Sequence, residues 1–92
     1  MAKPTTHERT NEWQEYAYKT WRYIILRPDS YYDDRIVVGY DPYSQSWRIF
    51  INAHELGQAY DLDEAKTLAA MLYKLHPEWR QTQTIYRTTT NL

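Results

Sequence analysis

Apolar and polar residues alternate most regularly from Gln45 to Asn52, where Trp47, Ile49 and Ile51 share one parity and Arg48, Phe50 and Asn52 the other. A period of two places successive side chains on opposite faces of a strand, so this stretch predicts a β-strand with the Trp47 set turned to the core. Two strands are expected before it. From Tyr16 to Arg27 the residues are mostly aromatic, β-branched or long, with Trp21, Tyr23 and Ile25 on one parity and Tyr18, Arg22 and Ile24 on the other. Pro28-Asp29-Ser30 ends that strand, because proline withholds a ladder donor and Asp and Ser favour turns, and Tyr31 to Asp34 extends the loop. The second strand runs from Arg35 to Tyr40. Asp41-Pro42-Tyr43-Ser44 then has the residue order of a type I turn inside a hairpin loop. Glu55 to Tyr60 reads as a short fourth strand or an irregular crossing, with Gly57 permitting a bend.

The period changes after Asp61. Leu62, Ala65, Leu68, Ala69, Leu72 and Leu75 recur at three and four residues, the apolar stripe of a helix lying on a sheet. Asp61 is its expected N-cap, with Glu64 three residues later as in a capping box and Asp63 adding charge that suits the helix dipole. Pro77 stops the helix and Trp79 is placed to pack back on the core. Residues 1–12 read as a polar tail or an exposed first turn, and the threonine-rich residues 82–92 either pair as a final edge strand or stay flexible. The expected fold is therefore α+β: an antiparallel sheet of three to five strands with one main α-helix on one face. With 92 residues there is one domain, since smaller pieces would bury too little apolar surface to fold unaided.

Composition sharpens this picture in two ways. Hydrophobic residues are 42% of the chain, yet ten are Tyr and four Trp against one Phe, so many large side chains carry a polar tip suited to half-buried and interface positions. Eleven Lys and Arg against twelve Asp and Glu leave a net charge of -1, so bulk electrostatics would not drive the chain onto nucleic acid or anionic lipid, and such binding would need a local patch. Cysteine is absent, which removes disulfides and thiol chemistry and permits a cytoplasmic address. The polar amino terminus has no apolar core of a signal peptide, and the longest aliphatic runs, Ile24-Ile25-Leu26 and Ile36-Val37-Val38, are far short of a membrane span.

Candidate chemistry is sparse. His54-Glu55-Leu56-Gly57-Gln58 begins like a zinc-protease motif, but Gln58 stands where the second imidazole is needed and Gly57 opposes a helix. Asp29, Asp33 and Asp34 could pair as acid and base or hold a divalent ion, although turn chemistry also accounts for acidic residues there. Two glycines build neither a dinucleotide fingerprint nor a phosphate loop. Ser30, Ser44 and Ser46 lie in no nucleophile elbow. The reading is of no catalytic residue, no cofactor and no metal.

A surface pattern remains. Charges on the strand bodies are mainly basic, at Lys19, Arg22, Arg27, Arg35 and Arg48, with aromatics interleaved. If the helix covers the Trp47 face, then Tyr18, Arg22, Arg35, Arg48 and Phe50 are candidates for a partner-binding platform on the other side, since Arg and Tyr anchor interfaces and can also hold phosphates and stack bases. A plain solvated sheet face sheltered by amphipathic side chains would carry the same residues.

From Trp47 the spacing Trp-x-Ile-x-Ile, then Leu56-Gly57, then Glu64-Ala65 and the following helix resembles the strand and helix of the AP2 and integrase arm-binding family across residues 47–73. That resemblance implies a sheet that reads DNA, with Arg22, Arg35 and Arg48 facing it. The overall profile is also similar to that of small phage and mobile-element accessory proteins such as the anti-CRISPR inhibitors, a family without a shared signature from which residues could be transferred. The expected function is a non-enzymatic binding protein that docks on a protein or ribonucleoprotein complex and blocks nucleic-acid access, with direct DNA binding as the alternative. A strand near either terminus could also pair with its copy in a homodimer.

Overall fold

A computed structural model describes residues 10–27 and 32–80. Five strands, β1 (Trp13–Ala17), β2 (Thr20–Ile25), β3 (Asp34–Asp41), β4 (Ser46–Ile51) and β5 (His54–Ala59), are followed by helix α1 (Leu62–Leu75) and a 3-10 turn, Pro77–Trp79. The strands form one antiparallel sheet in the order β1-β2-β3-β4-β5. Each strand therefore pairs with its neighbours in sequence, and the helix packs on β3, β4 and β5. This is the α+β architecture that the two periodicities imply.

Cross-strand pairs share a face, so the register assigns the sides. Val38 opposes Ile49 and Ile36 opposes Ile51, and these four join Ala65 and Ala69 of the helix in the buried core. The two small helix residues let the helix axis approach a layer of β-branched side chains. Trp47, Leu56, Leu62, Leu68, Leu72 and Trp79 pack around that centre. Leu75 departs from the expected stripe: it is exposed, and Tyr73 packs against the core instead. Asp61 caps the helix as expected, its carboxylate accepting from the Glu64 amide at 3.1 Å.

The amino-terminal half differs most from expectation. Instead of one strand from Tyr16 to Arg27, the chain makes a hairpin, β1 and β2, turning at Tyr18-Lys19. Lys19 adopts φ 48, its amide donates to the Glu15 carboxylate at 3.1 Å, and the Thr20 hydroxyl donates to the Tyr18 carbonyl at 2.9 Å. Side chains thus supply the turn that glycine or proline would otherwise signal. The end of the expected polar tail is also engaged: the Asn11 amide donates to the Ile24 carbonyl at 2.8 Å. The expected turn at Pro28-Asp29-Ser30 and the alternatives for residues 82–92 lie outside the described residues. Gln45 to Asn52 and Glu55 to Tyr60 emerge as β4 and β5, joined by Asn52-Ala53, both with positive φ, 48 and 75. That conformation gives a two-residue turn whose twist matches the strands it joins.

Candidate docking surfaces

The register places Arg22, Arg35, Arg48 and Phe50 on the face away from the helix, because Arg22 opposes Val37, Val37 opposes Phe50, Ile24 opposes Arg35 and Gly39 opposes Arg48. Tyr18, expected beside them, sits in the β1–β2 turn at the end of the sheet. The face is a mixture rather than an open basic platform. Ile24 and Ser46, both on it, are fully buried. Arg22 is half-buried, donating to the Gln14 side chain at 3.3 Å with its guanidinium 4.5 Å from the Tyr16 ring centroid. Phe50 is half-buried and Arg35 exposed.

Arg48 is held by acidic side chains from both neighbouring strands. Its Nε donates to Asp41 Oδ2 at 2.9 Å, and its Nη1 pairs with Glu55. Asp41 in turn accepts from the Tyr43 amide at 3.0 Å and the Ser44 hydroxyl at 2.9 Å. The Arg48 bond, followed by those two donors, holds the Asp41 carboxyl below its ordinary range, and Asp41 and then Glu55 push the Arg48 guanidinium above its own. A hydroxyl chain continues from Ser44 to Ser46 at 2.6 Å and from Ser46 to Gln58 at 2.8 Å. These contacts spend the charge of Arg48 inside the molecule and fix the β3–β4 loop that carries Tyr43.

At that end of the sheet the chain displays a second, more exposed surface. A meander alternates its turns between two ends, so the β1–β2 turn, the β3–β4 loop and the β5–α1 junction emerge together. Each carries a tyrosine: Tyr18 is 85% exposed, Tyr43 97% and Tyr60 73%. The Lys19 ammonium lies between aromatic rings, 4.7 Å from the Tyr40 centroid and 5.6 Å from that of Tyr18. Tyr40 meets Trp47 edge to face at 5.2 Å. Of the three, only Tyr18 is among the residues expected at a binding surface; Tyr43 falls in the expected hairpin turn and Tyr60 at the end of the expected fourth strand or crossing. The available signal was chemical: bulky aromatics beside Pro42 and the N-cap Asp61, where turn geometry asks only for small polar residues.

The other flagged residues have different settings. Asp34, expected in an acidic loop, begins β3 and is fully buried. Its oxygens accept from Arg27 at 3.0 Å, from Asn52 at 2.9 Å and from the Tyr73 hydroxyl. Desolvation, and then the bond to Asp34, push the Tyr73 phenol up to about 12. Asp33 is half-buried, and Asp29 lies outside the described residues. His54 opens strand β5, and four residues along a strand, about 13 Å, separate it from Gln58 far more than one helical turn would. Among the described residues no three His, Asp or Glu side chains gather into a metal-binding group, and no helix is long and apolar enough to cross a membrane.

Comparison with known proteins finds no matching family model, no matching curated protein and no matching solved structure.

Proposed function

We propose that this chain is a non-enzymatic binding protein that docks on a protein or ribonucleoprotein complex and acts there by steric exclusion, blocking access of nucleic acid. The observation that carries this reading is the row of Tyr18, Tyr43 and Tyr60 at one end of the sheet. Tyrosine offers a large, rigid contact surface with a polar tip and loses little conformational entropy on binding, which is why it dominates loop-borne recognition surfaces. Here the loops are also held in place beforehand: Asp41 and Arg48 brace the segment bearing Tyr43, and the capped helix start follows Tyr60. Preorganisation of this kind lowers the ordering cost of association.

The test is a pull-down with the tagged chain from a lysate, with and without nuclease, run beside a variant carrying Tyr18→Ser, Tyr43→Ser and Tyr60→Ser. A stoichiometric protein partner retained after nuclease treatment and lost with the folded triple variant supports the reading. Equal retention by both chains, or no stoichiometric partner, overturns it.

Direct DNA binding is a second reading, favoured by the placement of Arg22, Arg35 and Arg48 on one sheet face. The pairing of Arg48 with Asp41 and Glu55 weighs against it, because a guanidinium already neutralised releases few counterions from a phosphate backbone. Fluorescence titration with duplex DNA at two salt concentrations separates the two: affinity that falls steeply with salt favours DNA, and no binding at low salt removes that reading.

A further inference from the structure

The helix packs on β3, β4 and β5, so the helix-side surface of the β1–β2 hairpin faces a furrow along the flank of α1. A cavity of about 360 Å³ opens there between Trp13, Tyr23 and Ile25 on the hairpin side and Ala70, Tyr73 and Lys74 on the helix. A second depression continues it along the helix, sharing Trp13, Ala70 and Lys74 and adding Lys66. The walls are aromatic: Trp13 meets Tyr23 edge to face at 5.4 Å. The Lys66 ammonium lies 3.9 Å from the Trp21 ring centroid and 5.6 Å from that of Trp13. Among the described residues neither Lys66 nor Lys74 has a carboxylate partner.

From these observations we infer that the furrow binds an extended acidic segment of a protein partner, one large apolar side chain entering between Trp13, Tyr23 and Ala70 and flanking carboxylates meeting Lys66 and Lys74. The charge pattern selects this occupant. Eight residues of helix separate the two lysines by about 12 Å, more than a single small anion bridges. In an extended segment, carboxylates four residues apart are about 13 Å from each other and share a face with the residue midway between them. The recognised pattern is thus acidic–x–apolar–x–acidic. Indoles alone would hold Lys66 in place without neutralising it, whereas an incoming carboxylate completes the pair in a partly desolvated setting where its attraction is least screened. This surface is separate from the tyrosine-bearing end, and its failure would leave the proposed docking role standing.

The experiment is selection of random displayed dodecapeptides on the whole chain, followed by fluorescence titration of the enriched peptides using the tryptophans as reporters. Enriched sequences are expected to carry the acidic–x–apolar–x–acidic pattern. Their affinity is expected to fall at least about tenfold with Lys66→Glu and Lys74→Glu together, to fall comparably with Ala70→Leu, which fills the furrow with a good helix former, and to be unchanged by the triple tyrosine variant. Circular dichroism confirms that each variant is folded. Absence of enrichment, enrichment without acidic bias, or equal binding by the Ala70→Leu chain overturns the inference. So does tighter binding of dansylated undecanoate than of any peptide, which would make the furrow a small-amphiphile site, or a dimer in light scattering that Ala70→Leu dissociates, which would make its occupant a second copy.

Discussion

The two ends of the sheet are built on opposite plans. At the end bearing Tyr18, Tyr43 and Tyr60, each turn is held chiefly from within or by the strand beside it: Glu15 and Thr20 secure Lys19 and Tyr18, Asp41 secures Tyr43 and Ser44, and Asp61 caps its own helix. At the other end one buried carboxylate ties distant segments together. Asp34 joins Arg27 after β2, Asn52 of the β4–β5 turn and Tyr73 of the helix, Asn52 also donates to the Trp79 carbonyl at 2.9 Å, and Arg80 donates to the Tyr73 carbonyl at 3.0 Å. Local bracing leaves the first end free to present large side chains to solvent, while the second spends its polar groups on holding the sheet to the helix. The difference teaches where change is tolerated: substitutions should cost stability at the Asp34 end and binding at the tyrosine end.

The largest effect is expected from Asp34→Ala. Removing the buried acceptor takes a charged partner from Arg27, Asn52 and the Tyr73 hydroxyl at once, and breaking a buried ionic network from one side costs about 3–5 kcal/mol, measurable by urea unfolding. Next comes Tyr73→Phe, expected to cost about 1.5–3 kcal/mol because the lost hydrogen bond is to a charged group. The same site has a pH signature. Its phenol is raised from 10.0 to about 12, so its contribution is complete below pH 10.0 and lost as pH climbs through about 12. Phenolate absorbance should show a late-titrating tyrosine that Tyr73→Phe removes.

Ala53→Gly tests the same end in the opposite direction. Ala53 has φ 75, a left-handed conformation that costs a residue with a Cβ about 1 kcal/mol, so glycine should raise the thermal midpoint. At the tyrosine end Asp41→Ala should cost less stability than either substitution at Asp34 or Tyr73, since its carboxylate and its partner Arg48 both reach solvent, but should weaken partner capture by loosening the loop under Tyr43. The Asp41 carboxyl is depressed from 3.8, so its contribution is present above that value and lost as pH falls below it. Smallest in stability is Tyr43→Ser, expected within about 0.5 kcal/mol of wild type by thermal unfolding, with docking nevertheless reduced. A large stability loss there would break the contrast between the ends.

Legibility in the sequence followed the range of the interactions. Trp47, Ile49 and Ile51 announce β4 because one strand with one buried face writes its own alternation. Asp61, Glu64 and the stripe through Leu72 do the same for the helix. The β1–β2 hairpin stayed hidden because Tyr18-Lys19 contains no glycine, proline, Asn or Asp, and its turn rests on Glu15 and on Thr20. Asp34 looked like a loop acid because its partners stand 7, 18 and 39 positions away, beyond any local pattern. Of the candidate surface, alternation within a strand ties Phe50 to Arg48 and Arg22 to Ile24, whereas Arg35 enters as a strand-borne basic residue and through the AP2 resemblance. The internal pairing of Arg48 was not legible, since it depends on Asp41 and Glu55 arriving from two neighbouring strands.

The sequential strand order bears on how the molecule assembles itself. Every strand zips onto the one made just before it, and the helix folds back across the last three, so no long segment must be brought home before the next element can form. Closure entropy is low for each step, and contacts near in sequence speed folding across small proteins. A sheet built this way can grow strand by strand as the chain emerges from the ribosome, with little time for a bare β edge to find a foreign one.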